Sequence, residues 1–451
     1  MGRFFGTDGV RGKANCEPMT VETALKIGKA VACLFHDAQG HGSGKIIVGK
    51  DTRLSGDMIE HALIAGICSL GSQVIRAGVI PTPAVSFLSV REKADAGIMI
   101  SASHNPYADN GIKIFAGHGR KLPDDQEDIL ENMVLADNFV SRLPPSDALG
   151  HVSRMDDARR KYIDFLKGTF LPGETLAGRK IVLDCAHGAT FQTAPAVFGE
   201  LGGDVVTLFN DPDGININHE CGSQHPKRLA EEVVRGKACC GFAFDGDGDR
   251  VIAVDEEGQV LTGDQVLAIC ARFMKEEGIL ANNLLVRTVM SNIGLTIALK
   301  ELGIDYVLTD VGDRYVLEAM LDKGAVLGGE DSGHLLFLRH HTTGDGILSA
   351  LQVMGIMRKR KKKLSELARI MTVYPQTLMN VETKSRPDLA VIPAVKKVIG
   401  EVEASLREKG RVLVRYSGTQ NLCRVMVEGP TREETARYCE QIAGVIRAEL
   451  G

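Results

Sequence analysis

Three stretches of the chain repeat one order of elements: an apolar strand after a turn, a loop and helix, a second strand introduced by Leu-Gly, then a third strand ending in a polar loop. The first strands read KIIVG (Lys45 to Gly49), KIVLD (Lys180 to Asp184) and NLLVR (Asn283 to Arg287). The second read LGSQVIRAG, LGGDVVTLF and LGIDYVLTD, starting at Leu70, Leu201 and Leu302. Strands that alternate with helices imply parallel sheets, because a parallel neighbour needs a crossover and a helix supplies it. In such sheets ligands bind outside the carboxyl ends of the strands, so chemistry is expected in the loops after the third strands. These loops close ADAGIMISASHNP (Ala94 to Pro106), ACCGFAFDGDGDR (Ala238 to Arg250) and GAVLGGEDSGH (Gly324 to His334). After about Ile370 the pattern changes. Short alternating strands at Val412 to Tyr416 and Leu422 to Val427 flank an SGT turn and are followed by a helix from Thr431, which reads as a smaller α+β domain.

The expected architecture is three similar α/β domains with mixed, mainly parallel sheets plus that C-terminal domain. The expected spans are 1–150 with the serine loop, 151–255 with the aspartate loop, 256–368 with the Glu-Ser-His loop and 369–451 for the smaller domain. A chain of 451 residues with 44% hydrophobic and 25% charged residues can bury a core in each domain. No apolar run approaches the ~20 residues of a membrane span, and the opening MGRFFGTD lacks the order of a secretory signal, so a cytoplasmic enzyme without a membrane partner is expected. The ten cysteines have no CxxC spacing and read as reduced core residues. A net charge of -5 offers no general attraction to nucleic acid. The basic run Arg358 to Lys363 reads as a solvated helix end, where cations offset the helix dipole.

In Asp245-Gly-Asp-Gly-Asp-Arg250 the carboxylates alternate with glycines that let the backbone turn, so all three can face one hard cation. A calcium EF-hand competes through Ile252 and Glu256. Arg250 stands where its loop needs glycine, however, and the flanks GFAF and VIAVD read as strands. An aspartyl-phosphate nucleophile at Asp245 is a second alternative, against which Gly248 and Asp249 follow the DxD and the motif lies mid-chain. Ser101-Ala-Ser-His-Asn-Pro106 delivers hydroxyls, an imidazole and an amide into a loop that, taken alone, is an ordinary turn. It gains weight because it ends the strand equivalent to the one before the aspartates. Lys113 follows in GIKIF as a candidate proton donor or acceptor near Ser103. Arg415-Tyr-Ser-Gly-Thr419 offers a guanidinium and a turn of backbone N–H groups suited to an anion, to which Arg424 adds charge. Gly40 to Lys45 lacks the P-loop spacing and reads as a turn, and no GxSxG elbow surrounds a serine.

Taken in order, FGTDGVRG, GKDTR, SASHNPYADNGIKIF, DGDGDR, GGEDSGH, TTGDG and RYSGT resemble the alpha-D-phosphohexomutase superfamily over the whole chain. The resemblance implies four domains around one central cleft. It also implies interconversion of glucosamine 6-phosphate and glucosamine 1-phosphate, on the route to UDP-N-acetylglucosamine. By its motifs Ser103 carries a phosphoryl group and, through that phosphate, completes a Mg²⁺ site with Asp245, Asp247 and Asp249, one ion per active site. Glu330, Ser332 and His334 belong to the sugar loop. Arg415, Ser417, Gly418, Thr419 and Arg424 form a distal phosphate clamp, and Arg11, Lys113, His104 and Arg250 line the transfer site. Gln420-Asn421 replaces the common Glu-Pro after SGT, and Asp331 departs from the residues usual in the sugar loop, which leaves room for mannose or glucose phosphates. The partner expected is a small sugar phosphate, and a homodimer stays open.

Overall fold

The computed structural model describes residues 4–6, 9–36, 44–416 and 421–451, and in it each repeat becomes one sheet. Strands β1 (Phe5–Gly6), β2 (Gly9–Lys13), β3 (Lys45–Lys50), β4 (Gln73–Val79), β5 (Ala96–Ile100), β6 (Asp109–Ala116) and β7 (Val152–Arg154) form the first, in the order β1-β2-β6-β5-β3-β4-β7. The second contains β8 (Lys180–Asp184), β9 (Asp204–Leu208), β10 (Cys240–Phe244), β11 (Val251–Asp255) and β12 (Val260–Leu261), ordered β12-β11-β10-β8-β9. The third contains β13 (Leu284–Thr288), β14 (Asp305–Thr309), β15 (Leu327–Gly329) and β16 (Leu335–Phe337), ordered β14-β13-β15-β16.

One unit recurs in all three. The first strand of each repeat lies between the second and third and is parallel to both, as in β3 with β4 and β5, β8 with β9 and β10, and β13 with β14 and β15. A fourth strand then turns back antiparallel on the third: β6 on β5, β11 on β10 and β16 on β15. Every residue of β5 and β10 is buried, the signature of strands covered on both faces. The three polar loops are therefore the connections between a buried parallel strand and its antiparallel neighbour. This geometry excludes the EF-hand, since Asp245 to Arg250 joins two strands and no helix flanks it.

Two edge strands extend the first two sheets. β7 pairs with β4, so the first sheet continues past residue 150, and β12 carries the second past 255. All three residues of β7 are exposed, and the two-residue β12 has one exposed residue, which leaves little apolar signal to betray either.

By compactness the chain divides into Met1–Met290 with Ile304–Arg369, and Ser291–Gly303 with Ile370–Gly451. The second unit holds β17 (Gln376–Glu382), β18 (Arg411–Tyr416) and β19 (Leu422–Glu428), an antiparallel sheet ordered β17-β19-β18. Helices Pro393–Leu406 and Arg432–Leu450 pack on it around Val395, Val402, Cys423, Val425 and Ile442. Thr431 caps the last helix, its hydroxyl accepting from Glu434 N at 3.2 Å, where the sequence places the helix start. Helix Ile293–Leu302 joins this unit through Glu428, whose Oε2 accepts from Ile293 N at 2.9 Å.

The basic run ends helix Gly346–Arg360, with Lys361 in the left-handed conformation that terminates it. Its cations meet carboxylates, Arg358 on Glu174 and Arg360 on Glu276 at 2.6 Å. The cysteines are all free, and Cys16 is exposed, which corrects the reading of all ten as core. It follows a strand end in a turn, where no apolar neighbours cover it.

Candidate active site

Ser103 sits just past the buried end of β5 and is itself 1% exposed. Its backbone is left-handed, with φ 53°, which L residues avoid because Cβ crowds the following carbonyl. The loop is tied to its strand by Ser101 N, which donates to Gly111 O at 3.0 Å, and Asp51, Arg53 and Asn218 pack around it. The Ser103 hydroxyl donates to Asp245 Oδ2 at 2.6 Å, across 142 residues of sequence. His104 Nδ1 lies 3.3 Å from the same oxygen.

The aspartate loop approaches so closely that only glycine fits at 246. A Cβ there would lie 2.6 Å from Ser103 O and 2.7 Å from Asn218 Nδ2. Asp245, Asp247 and Asp249 are buried, and one carboxylate oxygen of each lies within 4.8 Å of the others. Asp245 Oδ1 accepts from Arg250 N at 3.1 Å. Asp247 Oδ2 accepts from Thr82 Oγ1 at 2.5 Å and from Lys113 Nζ at 2.8 Å. Lys113, which is 1% exposed, also reaches Asp249 Oδ2 at 3.1 Å.

Burial, with Asp249 and Asp247 alongside, pushes Asp245 well above the usual carboxylate range. Burial would raise Asp249 too, but Lys113 and His334 hold it well below that range. Three carboxylates held this close repel one another when ionised. Asp247 Oδ1 and Asp249 Oδ1 are buried without a hydrogen-bond partner among the described residues. Two orphaned carboxylate oxygens on one small cluster fit a hard divalent cation.

The loop Glu330 to His334 arrives from the third sheet. Gly333 O accepts from Val251 N at 3.1 Å, and His334 Nδ1 stands 3.8 Å from Asp249 Oδ1. Glu330 is buried, with Oε1 accepting from Gly312 N at 3.2 Å, while Ser332 is exposed. Arg11 lies on β2 directly opposite Gly111. Burial, then the positive charges of Arg250 and Arg11, push the His104 imidazole down to about 4, so it is neutral at physiological pH.

Of the sequence-expected residues in the first unit, the structure brings Ser103, His104, Lys113, Arg250, His334 and the three aspartates into one cluster. Thr82 was missed, as were Asp51, Arg53 and Asn218. GKDTR contains two of them, but nothing in a sequence says which carbonyls an arginine will reach. In the second unit Arg415 and Arg424 face one another across β18 and β19. Like charges directly opposite are unfavourable without an anion between them, and Arg424 Nε is buried without a hydrogen-bond partner among the described residues. Ser417, Gly418 and Thr419 lie outside the described residues.

Residues 2–141, 160–258, 262–374 and 378–445 match, in that order, domain I, domain II, domain III and the C-terminal domain described as phosphoglucomutase/phosphomannomutase. The chain is 61% identical to a phosphoglucosamine mutase of Syntrophus aciditrophicus and 54% identical to one of Syntrophobacter fumaroxidans, with 100% of each chain covered in both cases. Among solved structures it resembles a phosphoglucomutase/phosphomannomutase family protein of Burkholderia thailandensis, with TM-score 0.79, 24% identity, and 98% of this chain and 97% of that one covered. It also resembles an Aspergillus fumigatus N-acetylphosphoglucosamine mutase in complex with GlcNAc-6P and magnesium, with TM-score 0.69, 17% identity, and coverage of 99% and 95%. At those identities the two structures speak to the fold.

Proposed function

This chain belongs to the phosphoglucomutase/phosphomannomutase family, among the phosphoglucosamine mutases, and is an isomerase; from that premise we propose that it interconverts glucosamine 6-phosphate and glucosamine 1-phosphate through a phosphoserine at Ser103. The observation that carries this reading is the 2.6 Å contact of the Ser103 hydroxyl with Asp245, inside a buried trio with two unpartnered oxygens.

O1 and O6 lie on opposite sides of a hexose ring, so one site cannot pass a phosphoryl group directly between them. A group stored on Ser103 removes the difficulty. The free sugar hydroxyl attacks phosphorus in line, the P–Oγ bond to Ser103 breaks, and the hydroxyl proton is passed on to the departing Ser103 Oγ, a transfer for which the Lys113 ammonium beside Asp247 and Asp249 is the candidate donor. The resulting sugar bisphosphate turns over, Ser103 Oγ attacks the other phosphorus, the sugar O–P bond breaks, and the proton lost by Oγ ends on the released sugar oxygen. Catalysis of this kind rests on positioning and charge neutralisation. Asp245, Asp247 and Asp249, with the Ser103 phosphate, would hold Mg²⁺, which when bound offsets phosphate charge as a Lewis acid. Arg250 and Arg11 add fixed positive charge beside His104, Glu330 and Ser332 would accept sugar hydroxyls, and Arg415 and Arg424 would grip the distal phosphate. The product lies on the route to UDP-N-acetylglucosamine, in the cytoplasm, and the domains divide near 154, 261 and 369.

Ser103→Ala is expected to abolish turnover while leaving the melting curve unchanged; full activity in that variant refutes the carrier. Phosphate occupancy of the Ser103 peptide, read by mass spectrometry, should track specific activity. Comparing kcat/KM for glucosamine, glucose and mannose 1-phosphates decides whether Asp331 admits the other hexoses, and a preference for mannose would replace the substrate assignment.

A further inference from the structure

We propose that Arg53, with Asn218, is the positioning device that holds Ser103 in its left-handed conformation and aims its hydroxyl at the aspartates. The inference rests on the reading of Ser103 as phosphoryl carrier. A non-glycine residue at φ 53° persists only where its surroundings over-determine it, so the question is what does so here.

The answer is a closed circuit of buried hydrogen bonds. On the amide side, Ser103 N donates to Ser101 Oγ at 2.9 Å, and that hydroxyl donates to Asp51 Oδ2 at 2.6 Å. The same carboxylate accepts from Arg53 Nε at 2.9 Å and from Arg53 N at 3.0 Å. On the carbonyl side, Arg53 Nη2 donates to Ser103 O at 3.0 Å and Asn105 O at 2.8 Å, while Nη1 donates to Pro106 O at 2.5 Å. One ion pair therefore holds the peptide groups on both sides of Ser103. The side chains of Asp51 and Arg53 are fully buried.

A second donor comes from the other repeat and converges on the same two carbonyls. Asn218 Nδ2 lies 2.9 Å from Ser103 O and 3.0 Å from Asn105 O. Asn218 is fixed in turn by its N–H on Ala186 O at 2.9 Å. The turn carrying Arg53 bridges the two repeats as well, through Thr52 Oγ1 on His187 O at 2.6 Å and Leu54 N on Gly214 O at 2.8 Å. The serine loop is thus gripped at the point where the aspartate loop meets it, and the grip sets the in-line direction of Oγ. The planar fork of arginine spans three carbonyls and a carboxylate at once, which an ammonium cannot do.

The test uses Arg53→Lys, Arg53→Ala, Asn218→Gly and Ser103→Ala in the full-length protein, with mutase kinetics and thermal melts. Asn218→Gly removes the amide while glycine tolerates the φ of 58° at that position. Arg53→Lys and Asn218→Gly are expected to lower kcat, the former roughly 100-fold, with KM for the sugar phosphate unchanged and the protein still folded at the assay temperature. Millimolar guanidinium should restore part of kcat in Arg53→Ala and none in Ser103→Ala. Wild-type kcat in Arg53→Lys, or losses that only follow the unfolded fraction and resist guanidinium, overturns the proposal. Activity in Ser103→Ala instead overturns the carrier reading, whereas an inactive Ser103→Ala beside a fully active Arg53→Lys removes this inference alone.

Discussion

Gly246 shows how much of the site is decided by a missing side chain. Its two neighbours in the aspartate loop can face the serine only because the backbone between them comes within van der Waals distance of Ser103 O. Alanine at 246 would put a methyl 2.6 Å from that carbonyl and 2.8 Å from Ile217 Cδ1. The carbonyl is held by Arg53 and Asn218, so the two loops must separate. Gly246→Ala is expected to lower kcat by roughly 10²-fold, the cost of a misplacement near 1 Å, while the protein stays folded. Kinetics with a circular dichroism melt would check this, and an unchanged kcat would show that the loops have slack. Alternation of aspartate and glycine was readable in the sequence, because the motif is local. That Gly246 faces Ser103 was not, because the contact spans 143 residues, counted as 246 − 103.

At the scale of elements, the β18–β19 pair invites a direct test. Two arginines directly opposite on neighbouring strands repel unless an anion sits between them. Arg424→Ala should therefore raise KM for the sugar phosphate by roughly tenfold or more, as loss of a charge-assisted hydrogen bond of about 1.5–3 kcal/mol requires, with no loss of stability. A lowered melting temperature with unchanged KM would assign Arg424 to the sheet instead. Helix Ala158–Gly168 supplies a second test through Phe165, whose ring meets His341 edge-on at 5.6 Å. His341 Nε2 donates to Pro83 O at 2.8 Å and its Nδ1 accepts from Thr342 N at 2.7 Å, an arrangement that uses both nitrogens of the neutral ring. Burial pushes this imidazole down to about 4 from 6.5. Between those values the unfolded chain binds a proton that the folded one does not, so stability falls as pH drops from 6.5 toward 4, by up to about 3 kcal/mol from this group. Denaturant melts across that range should show a shallower acid loss in His341→Gln than in the parent. Equal slopes would mean that His341 is not the titrating group.

For the molecule as a whole, the clustered carboxylates of Asp245, Asp247 and Asp249 predict that a divalent cation stabilises the fold as well as the reaction. A ligand that binds only the folded state adds about 2.7 kcal/mol at a hundredfold excess over Kd, so the melting temperature should rise with Mg²⁺ and fall back on chelation, together with turnover. Asp247→Asn should abolish that rise. A melting temperature indifferent to Mg²⁺ in the parent chain would count against a cation among these carboxylates.

The sequence by itself determined what repeats along the chain. The three parallel units, the polar loops at their strand ends, the spacing of Asp245, Asp247 and Asp249, and the helix cap at Thr431 follow from apolar periodicity and turn chemistry within a few residues. Tertiary structure alone decided what lies across from what. The left-handed Ser103, its grip by Arg53 and Asn218, the Thr82 and Lys113 contacts to Asp247, and the edge strands β7 and β12 all depend on pairings between residues distant in sequence. Local propensity carries no record of those pairings, because each side chain involved is equally at home in many folds until a buried partner fixes it.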